Sequence, residues 1–408
     1  MRIALLGLSF VSAIAGCNKG SARPDDKAQH RRDAQVTADA DPSKLESKAL
    51  YTTFCAHCHG ADAKGYKSDN APSLINPTFL ESATDDYIAR SIGMGRPGTS
   101  MAGYGRDIGG PLDKPAIDRI VSYLRGQGPA AKQIGTAAST GDPKRGAPLY
   151  ARECFKCHGD QATRSTAVHL ANPQFLTVAD DAFLRYAIVN GRPGTPMESF
   201  ATKLKADEID DVVAFVRSFA KPQEIGQLPA PTGKEPLVIN PKGKDPLWKN
   251  LRSDPGSTVP RYVSVTEVKQ ALDDKRKLII IDARPQSDWM RVHITGAVSI
   301  PYHDLTRLSE VPKDTWVIAY CACPHHLSGV VVDELIKRGY TKALVLDEGI
   351  LEWHRRGFPV VAAPGVTPPP AEEQIVPLNV VPKGSVPPRA PGSHAGSAAP
   401  PPPSANKP

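Results

Sequence analysis

Sulfur and imidazole are scarce in this chain. Of 408 residues, seven are Cys, five are Met and eleven are His, so the placing of each is informative. Aromatic residues make up only 6%. The apolar run from Ile3 to Ile14 is too short for an ordinary membrane-spanning helix. No basic block occurs: the formal net charge of +7 arises from interspersed Lys, Arg, Asp and Glu, which offers nucleic acid no continuous face. The cysteines lack the pattern of a disulfide framework. Cys17 stands alone, and the rest form the close pairs Cys55/Cys58, Cys154/Cys157 and Cys321/Cys323, a spacing that points to cofactor, metal or redox chemistry.

Proline, in contrast, is abundant, with 40 residues that cluster. Their distribution divides the chain. Residues 18–41 are polar and aperiodic, the pattern of a flexible tether. Compact units are expected at 42–128 and 141–220. Residues 221–260, with eight prolines, form an expected extended spacer before a third unit at 261–363. The last 45 residues hold 14 prolines and are expected to stay disordered or polyproline-like.

The first 17 residues carry one early charge, Arg2, then the apolar run and the small residues Ala15 and Gly16, the pattern expected of a secretion signal. The sequence Ile14-Ala15-Gly16-Cys17 resembles the lipobox of bacterial lipoproteins. That resemblance implies cleavage after Gly16, lipidation of Cys17 and a place on the periplasmic side of a bacterial membrane. An uncleaved anchor, or an ordinary signal with a chance cysteine, is the alternative.

The first two units are repeats. CAHCHG (55–60) answers CFKCHG (154–159), NPTFL (76–80) answers NPQFL (172–176), and GRPGTSM (95–101) answers GRPGTPM (191–197). From Asn76 to Met101 and from Asn172 to Met197 the spacing is the same, 25 residues. Helical periodicity closes both units, at 117–126 and 208–219, and precedes both cysteine motifs, at 43–54 and 144–153. Asp41-Pro42 suits the start of the first helix, with Asp as cap and Pro at the first helical position.

Cys-x-x-Cys-His is the attachment signature of c-type haem. Two thioether bonds reach two vinyl positions on one porphyrin edge, and the next residue presents an imidazole to the iron. Composition alone gives roughly 0.003 such motifs in a chain this poor in Cys and His, so two are no accident. A zinc site built from the two Cys pairs does not need a His after each, and a thioredoxin-like dithiol needs a βαβ setting that the helical flanks lack. Met101 and Met197 are the matched candidates for the sixth ligand. Met94 is a rival, but its counterpart is Asn190; His57 and His169 have no matching His. Core packing, the usual work of Met, suits a loop of Gly, Pro, Thr and Ser poorly. A ligating His usually donates its second N–H to a carbonyl, and the aligned segments APSL and AVHL put the candidates near Pro72 and Val168.

On these motifs, residues 42–128 and 141–220 each resemble a class I cytochrome c domain, including a C-terminal helix with an aromatic residue, Tyr123 or Phe215. The resemblance implies a small all-α fold around covalent haem. It implies attachment through Cys55, Cys58, Cys154 and Cys157, and axial pairs His59/Met101 and His158/Met197. Thioether ligation favours reduced iron, and six-coordinate iron leaves outer-sphere electron transfer as the work.

In the third unit, LIIIDA (278–283), WVIAY (316–320) and ALVLD (343–347) have the pattern of buried strands, with helical patterns at 265–272, 329–339 and 350–357. Strands alternating with helices give an α/β fold with a parallel sheet. The segments IDARPQSDWMRVHITGAVSIP (281–301) and DEGILEWHRRGFPV (347–360) resemble those of a rhodanese domain. Cys321, after the central strand, matches the family's nucleophile. A thiol there faces a helix N-terminus near Ser328, whose dipole stabilises a thiolate, and His325 and His326 could add positive charge. Pro, His and Leu stand where the family has Gly and Arg. Three readings therefore stay open for Cys321: sulfur chemistry with Cys323 as a resolving thiol, an inactive binding module, or a metal site with Cys323 and the histidines. Asp282 and Arg284 are expected to hold the sheet end, and Trp289 and Trp353 to pack.

The expected protein is multidomain: two all-α cytochrome c domains followed by an α/β rhodanese-like domain with a parallel sheet. Two covalently bound haem c groups are the expected cofactors. Expected partners are redox proteins (other cytochromes, or a terminal oxidase or reductase), a small sulfur compound, and a membrane through the lipid anchor, with no nucleic acid. Three functions follow: electron transfer coupled to sulfur-compound oxidation or sulfur transfer at Cys321; a pure electron carrier whose rhodanese-like unit docks a partner; and a sulfurtransferase with haems as redox sensors. Domain fusion is the ground for the coupling.

Overall fold

The computed structural model describes residues 39–65, 71–219, 226–322 and 325–371; Cys17, Cys323 and the tail after 371 lie outside the described residues. The first unit contains α1 (Ser47–Phe54), α2 (Ala56–His59), α3 (Pro77–Ser82), α4 (Asp85–Met94) and α5 (Lys114–Arg125). The second repeats the series as α6 (Pro143–Glu153), α7 (Phe155–His158), α8 (Pro173–Val178), α9 (Asp181–Asn190) and α10 (Ala206–Arg217). Side-chain caps set the helix starts: Thr84 accepts from Tyr87 N, Asp113 from Ala116 N, and Asp180 from Phe183 N.

The helix expected over 43–54 is two pieces. Pro42–Lys44 form a 3-10 turn capped by Asp41, Leu45 and Glu46 are extended, and α1 starts at Ser47. Arg119 explains the break, because its Nη2 takes the carbonyls of Pro42 and Ser43, each at 3.1 Å. In each unit the first and last helices cross on an aromatic pair, Tyr51/Tyr123 with ring centres 5.0 Å apart and Tyr150/Phe215 at 5.3 Å. In the second unit the α6/α10 crossing is so close that a Cβ on Gly146 would lie 2.0 Å from the Asp211 carbonyl oxygen. Arg125 and Arg217, at matched helix ends, clamp their units alike. Arg125 donates to the carbonyls of Leu80 and Ala83, and Arg217 to those of Leu176 and Ala179.

The third unit contains β1 (Arg252–Ser253), β2 (Pro260–Val263), α11 (Val265–Asp273), β3 (Ile279–Asp282), α12 (Gln286–Arg291), β4 (His293–Ile294), β5 (Val298–Ser299), β6 (Val317–Tyr320), α13 (His326–Lys337), β7 (Ala343–Leu346), α14 (Gly349–Arg355) and β8 (Val360–Val361). The main sheet has the order β1-β2-β7-β6-β3-β5. Its strands are parallel except β1, which pairs antiparallel with β2, and β4 and β8 form a separate antiparallel pair. Alternate residues of β3 and β6 face opposite apolar layers. Ile279, Ile281, Val317 and Ala319 join one cluster, and Ile280, Ile318, Leu344 and Trp353 the other. This two-sided burial is why the strands read as unbroken apolar runs.

Strands β1, β4, β5 and β8 have two residues each, too few for a period to register. The stretch expected as spacer is extended, but part of it is strapped to the sheet. Ile239 N donates to Leu278 O at 2.8 Å, Trp248 packs edge-on against Trp316 at 5.9 Å, and residues 252–253 are β1.

Candidate functional site

Both cysteine motifs are built the same way. The first cysteine ends a helix, the next four residues form the short helix α2 or α7, and a glycine with positive φ (Gly60 at 82°, Gly159 at 72°) turns the chain out. A buried tyrosine on the preceding helix fixes each turn: Tyr51 OH donates to Gly60 O at 2.7 Å and Tyr150 OH to Gly159 O at 2.8 Å. His59 Nδ1 lies 2.9 Å from Pro72 O, and His158 Nδ1 lies 2.7 Å from Val168 O. These are the two carbonyls expected from the alignment. A carbonyl only accepts, so Nδ1 carries the proton and Nε2 keeps a lone pair for a metal. Burial lowers the basicity of both imidazoles, against the raising effect of the carbonyl bonds.

The methionine loops match atom for atom in their hydrogen bonds. Arg96 N donates to Met101 O and Arg192 N to Met197 O, both at 2.7 Å. Thr99 Oγ1 donates to Arg96 O at 2.8 Å, and Thr195 Oγ1 to Arg192 O at 2.7 Å. Each threonine hydroxyl also accepts from the methionine N–H, at 3.0 and 3.2 Å. Gly191 opens the second loop at φ 62°, where a Cβ would fall 2.6 Å from Met197 O. Met94 instead ends helix α4.

The two units face each other across a pseudo-twofold axis. Asn76 Nδ2 donates to Pro193 O at 2.9 Å, and its repeat mate Asn172 Nδ2 donates to Pro97 O at 3.0 Å. Tyr87 and Phe183, also repeat mates, stack on the axis with centres 4.5 Å apart. Each methionine loop is therefore bonded to the other unit.

This donor set fits a c-type haem in each unit: two cysteines, one oriented neutral imidazole and one thioether loop. Burial pushes the Cys55 and Cys154 thiols up to about 12. Such surroundings suit a neutral thioether sulfur better than a zinc thiolate or a redox dithiol.

In the third unit Cys321 follows β6 at the carboxyl edge of the parallel sheet, the edge where α/β folds place ligands. It is 4% exposed. Its Sγ lies 3.3 Å from Oγ of the fully buried Ser328, in the first turn of α13. Gly349, at φ 68°, leaves room for the Cys321 carbonyl, which accepts from Ile350 N at 3.0 Å. His325 and His326 do not act together, because neighbours at a helix start point apart. His325 Nε2 pairs with Asp347 Oδ1 at 2.9 Å, and His326 Nδ1 approaches Cys58 Sγ at 3.9 Å. Asp282 and Arg284 form a buried pair at 2.7 Å beneath the sheet end. Trp353 is fully buried, and Trp289 donates Nε1–H to Ala297 O at 3.0 Å.

The carboxyl edge of the sheet is seated on the first unit, a contact absent from the sequence reading. Tyr302 OH donates to Thr53 O at 3.1 Å, and Ser287 Oγ donates to Gly103 O. The Tyr302 ring meets His57 edge-on at 5.4 Å, and His303 meets Phe54 at 5.5 Å. Tyr302, Ser287, Thr53, Phe54 and His57 are all buried in this seam. A cavity of about 630 Å³ opens along it, lined by Asp39, Gln286, His303 and Arg307. It lies by β5, two strands from Cys321, and is not the sulfur site.

No helix among the described residues is long and apolar enough to cross a membrane. The family model described as cytochrome c oxidase, cbb3-type, subunit III matches residues 43–124 and 141–216, and that of the rhodanese-like domain matches residues 264–356. A cbb3-type cytochrome c oxidase subunit CcoP of Azospirillum sp. (strain B510) is 28% identical over 189 residues, which is 42% of this chain and 60% of that protein. The chain thus spans somewhat less than two thirds of that relative. A sulfurtransferase of Allochromatium vinosum is 33% identical over 99 residues, 24% of this chain and 92% of that protein. Among solved structures, a rhodanese-like domain from Anabaena sp. is 25% identical, with a TM-score of 0.25, covering 28% of this chain and 89% of that one.

Proposed function

We propose that this chain, which belongs to the cbb3-type cytochrome c subunit III family through its first two units and to the rhodanese-like family through its third, draws electrons from a sulfur species on Cys321 and passes them on through two haems. Electron transfer follows from the cytochrome family. Cys55 and Cys58 would carry one haem and Cys154 and Cys157 the other, with His59/Met101 and His158/Met197 as axial ligands. Bound haem supplies a one-electron couple. The chain's own residues supply the rest: the carbonyls of Pro72 and Val168 orient the imidazoles, and the threonine-closed loops hold the thioethers. With His and Met both on the iron no substrate position would be left there, so chemistry on sulfur would fall to Cys321 beside Ser328 and the start of α13. Lipidation at Cys17 would hold the protein on the periplasmic side of a membrane, facing redox partner proteins.

One observation carries this reading: two repeats present the same donor set in the same hydrogen-bond frame, and the Cys321 edge sits against one of them. The test is the haem spectrum of the matured protein after adding thiosulfate or polysulfide. Reduction in the native protein and none in Cys321→Ala supports it. Equal reduction in both overturns the sulfur role. The low exposure of Cys321 favours a second reading, a pure carrier whose third unit only packs or docks; it predicts no reduction in either protein.

A further inference from the structure

We infer that the first unit is the internal electron port, reached from Cys321 through His326, and that the second unit is the outlet to external partners. The inference rests on the coupled reading above. It starts from the seam. In most α/β folds the carboxyl edge of the sheet opens to solvent for a ligand. Here that edge is closed by the helices that carry the first cysteine motif: Thr53 on α1 and His57 on α2 meet Tyr302, and Cys58 meets His326. With Cys321 only 4% exposed, the closed edge keeps a protein acceptor from reaching the sulfur directly.

His326 has a particular place in this edge. It is the first residue of α13, and Ser328, two residues on, touches Cys321 Sγ. Its ring reaches the Sγ that would be a haem thioether. A connected path therefore runs from Cys321 through Ser328, about half a turn of helix and His326 to Cys58, with a contour of about 20 Å or less. His326 is a positioning residue: it fixes the helix that holds Ser328 against the sulfur that would carry the haem.

The motif side of the second unit is open, with Lys156 exposed and Val168, whose carbonyl faces the motif histidine, at 39%. Its methionine loop, like the first unit's, is bonded to the other unit. The stack of Tyr87 on Phe183 joins the units between these ends.

The chemistry balances with sulfide as the donor. The Cys321 thiolate bonds to the sulfur of HS⁻, the S–H bond breaks, and its proton leaves to water. Two electrons depart, leaving a persulfide anion on Cys321. Two oxidised haems, one held in each unit, would be the oxidant and would take one electron each, the first unit's before the second's.

Anaerobic stopped-flow absorbance of the full matured chain with sodium sulfide tests this, using Met101→His and Met197→His to mark the two haems spectrally. The first unit should reduce first. His326→Ala and His326→Gln should each slow sulfide-driven reduction about tenfold or more. Each should shift the midpoint potential of the first haem alone and leave reduction of the second haem by ascorbate unchanged. Cys321→Ser should not respond to sulfide. If Cys321→Ser reduces at the native rate, the coupled reading itself fails. If Cys321→Ser is inert but the second unit reduces first, or both His326 variants keep the native rate and potential, the port assignment is overturned while the coupled reading stands.

Discussion

Replacing Asp282 by asparagine should collapse the third unit without unfolding the other two. The Asp282 side chain is fully buried and accepts four hydrogen bonds: from Arg284 N at 3.0 Å, Nε at 2.9 Å and Nη2 at 2.7 Å, and from Tyr320 OH at 2.8 Å. Burial works against the charge on Arg284; the Asp282 carboxylate outweighs it and holds the guanidinium firmly charged. No nearby anion can substitute. Asp288 lies 3.7 Å from Nη1, but burial pushes its own carboxyl up, towards the neutral form. The neutral amide of Asp282→Asn would leave a buried cation uncompensated, which costs about 3–5 kcal/mol. For a unit of this size each kcal/mol moves the midpoint by about 4–8 °C, so the loss should exceed about 12 °C. The assay is built into the composition: all four tryptophans, Trp248, Trp289, Trp316 and Trp353, lie in the third unit or its strap. Tryptophan emission therefore reports that unit, while haem absorbance reports the first two. A fall of the tryptophan midpoint by less than about 4 °C would refute the claim that this pair holds the sheet end beneath Cys321.

The seam should weaken in acid through His303. Burial holds its pKa down, to about 4 against an ordinary 6.5, and its Nε2 has no hydrogen-bond partner among the described residues. A depressed histidine binds more protons when unfolded, so stability is full above pH 6.5 and falls by up to about 3 kcal/mol as pH drops towards 4. Asp304 opposes the shift, and Phe54 and Tyr302 are the rings against it. Melts of native protein and His303→Phe at pH 7 and pH 5 should diverge, with the variant less acid-sensitive; equal acid losses would refute the assignment. Gly146→Ala should cost the second unit more than about 3 kcal/mol, because its Cβ would collide with backbone at 2.0 Å. Gly194→Ala, with open space around it but φ 79°, should cost only about 1 kcal/mol. Haem-absorbance melts compare the two, and equal losses would contradict the close-crossing account.

Much of the local chemistry was legible because it rests on short spacings. The paired motifs, the matched methionines and even the carbonyls of Pro72 and Val168 came from aligning one repeat on the other. The same alignment held a further signal: Arg125 and Arg217 occupy matched helix ends and make matched clamps. The break before α1 was hidden, since it depends on Arg119, 76 residues away from Ser43. The seam was hidden for the same reason. Tyr302 and His303 are ordinary loop residues and Ser287 lies in the short helix α12, and only the folded sheet edge gathers them against the first unit. The echoes NPTFL/NPQFL and GRPGTSM/GRPGTPM announced a repeat but not that each segment binds the other's mate. The histidines after Cys321 looked like one positive cluster, yet the start of α13 sends His325 to Asp347 and His326 to Cys58.

The most direct measurement is the count of covalent haem per chain, by pyridine haemochrome absorbance and intact mass, on protein from a host competent for cytochrome maturation. Two haems are predicted for the native chain, and one for the Cys154→Ala/Cys157→Ala double variant. A native chain that carries none, or that binds zinc through the four cysteines instead, would contradict the account.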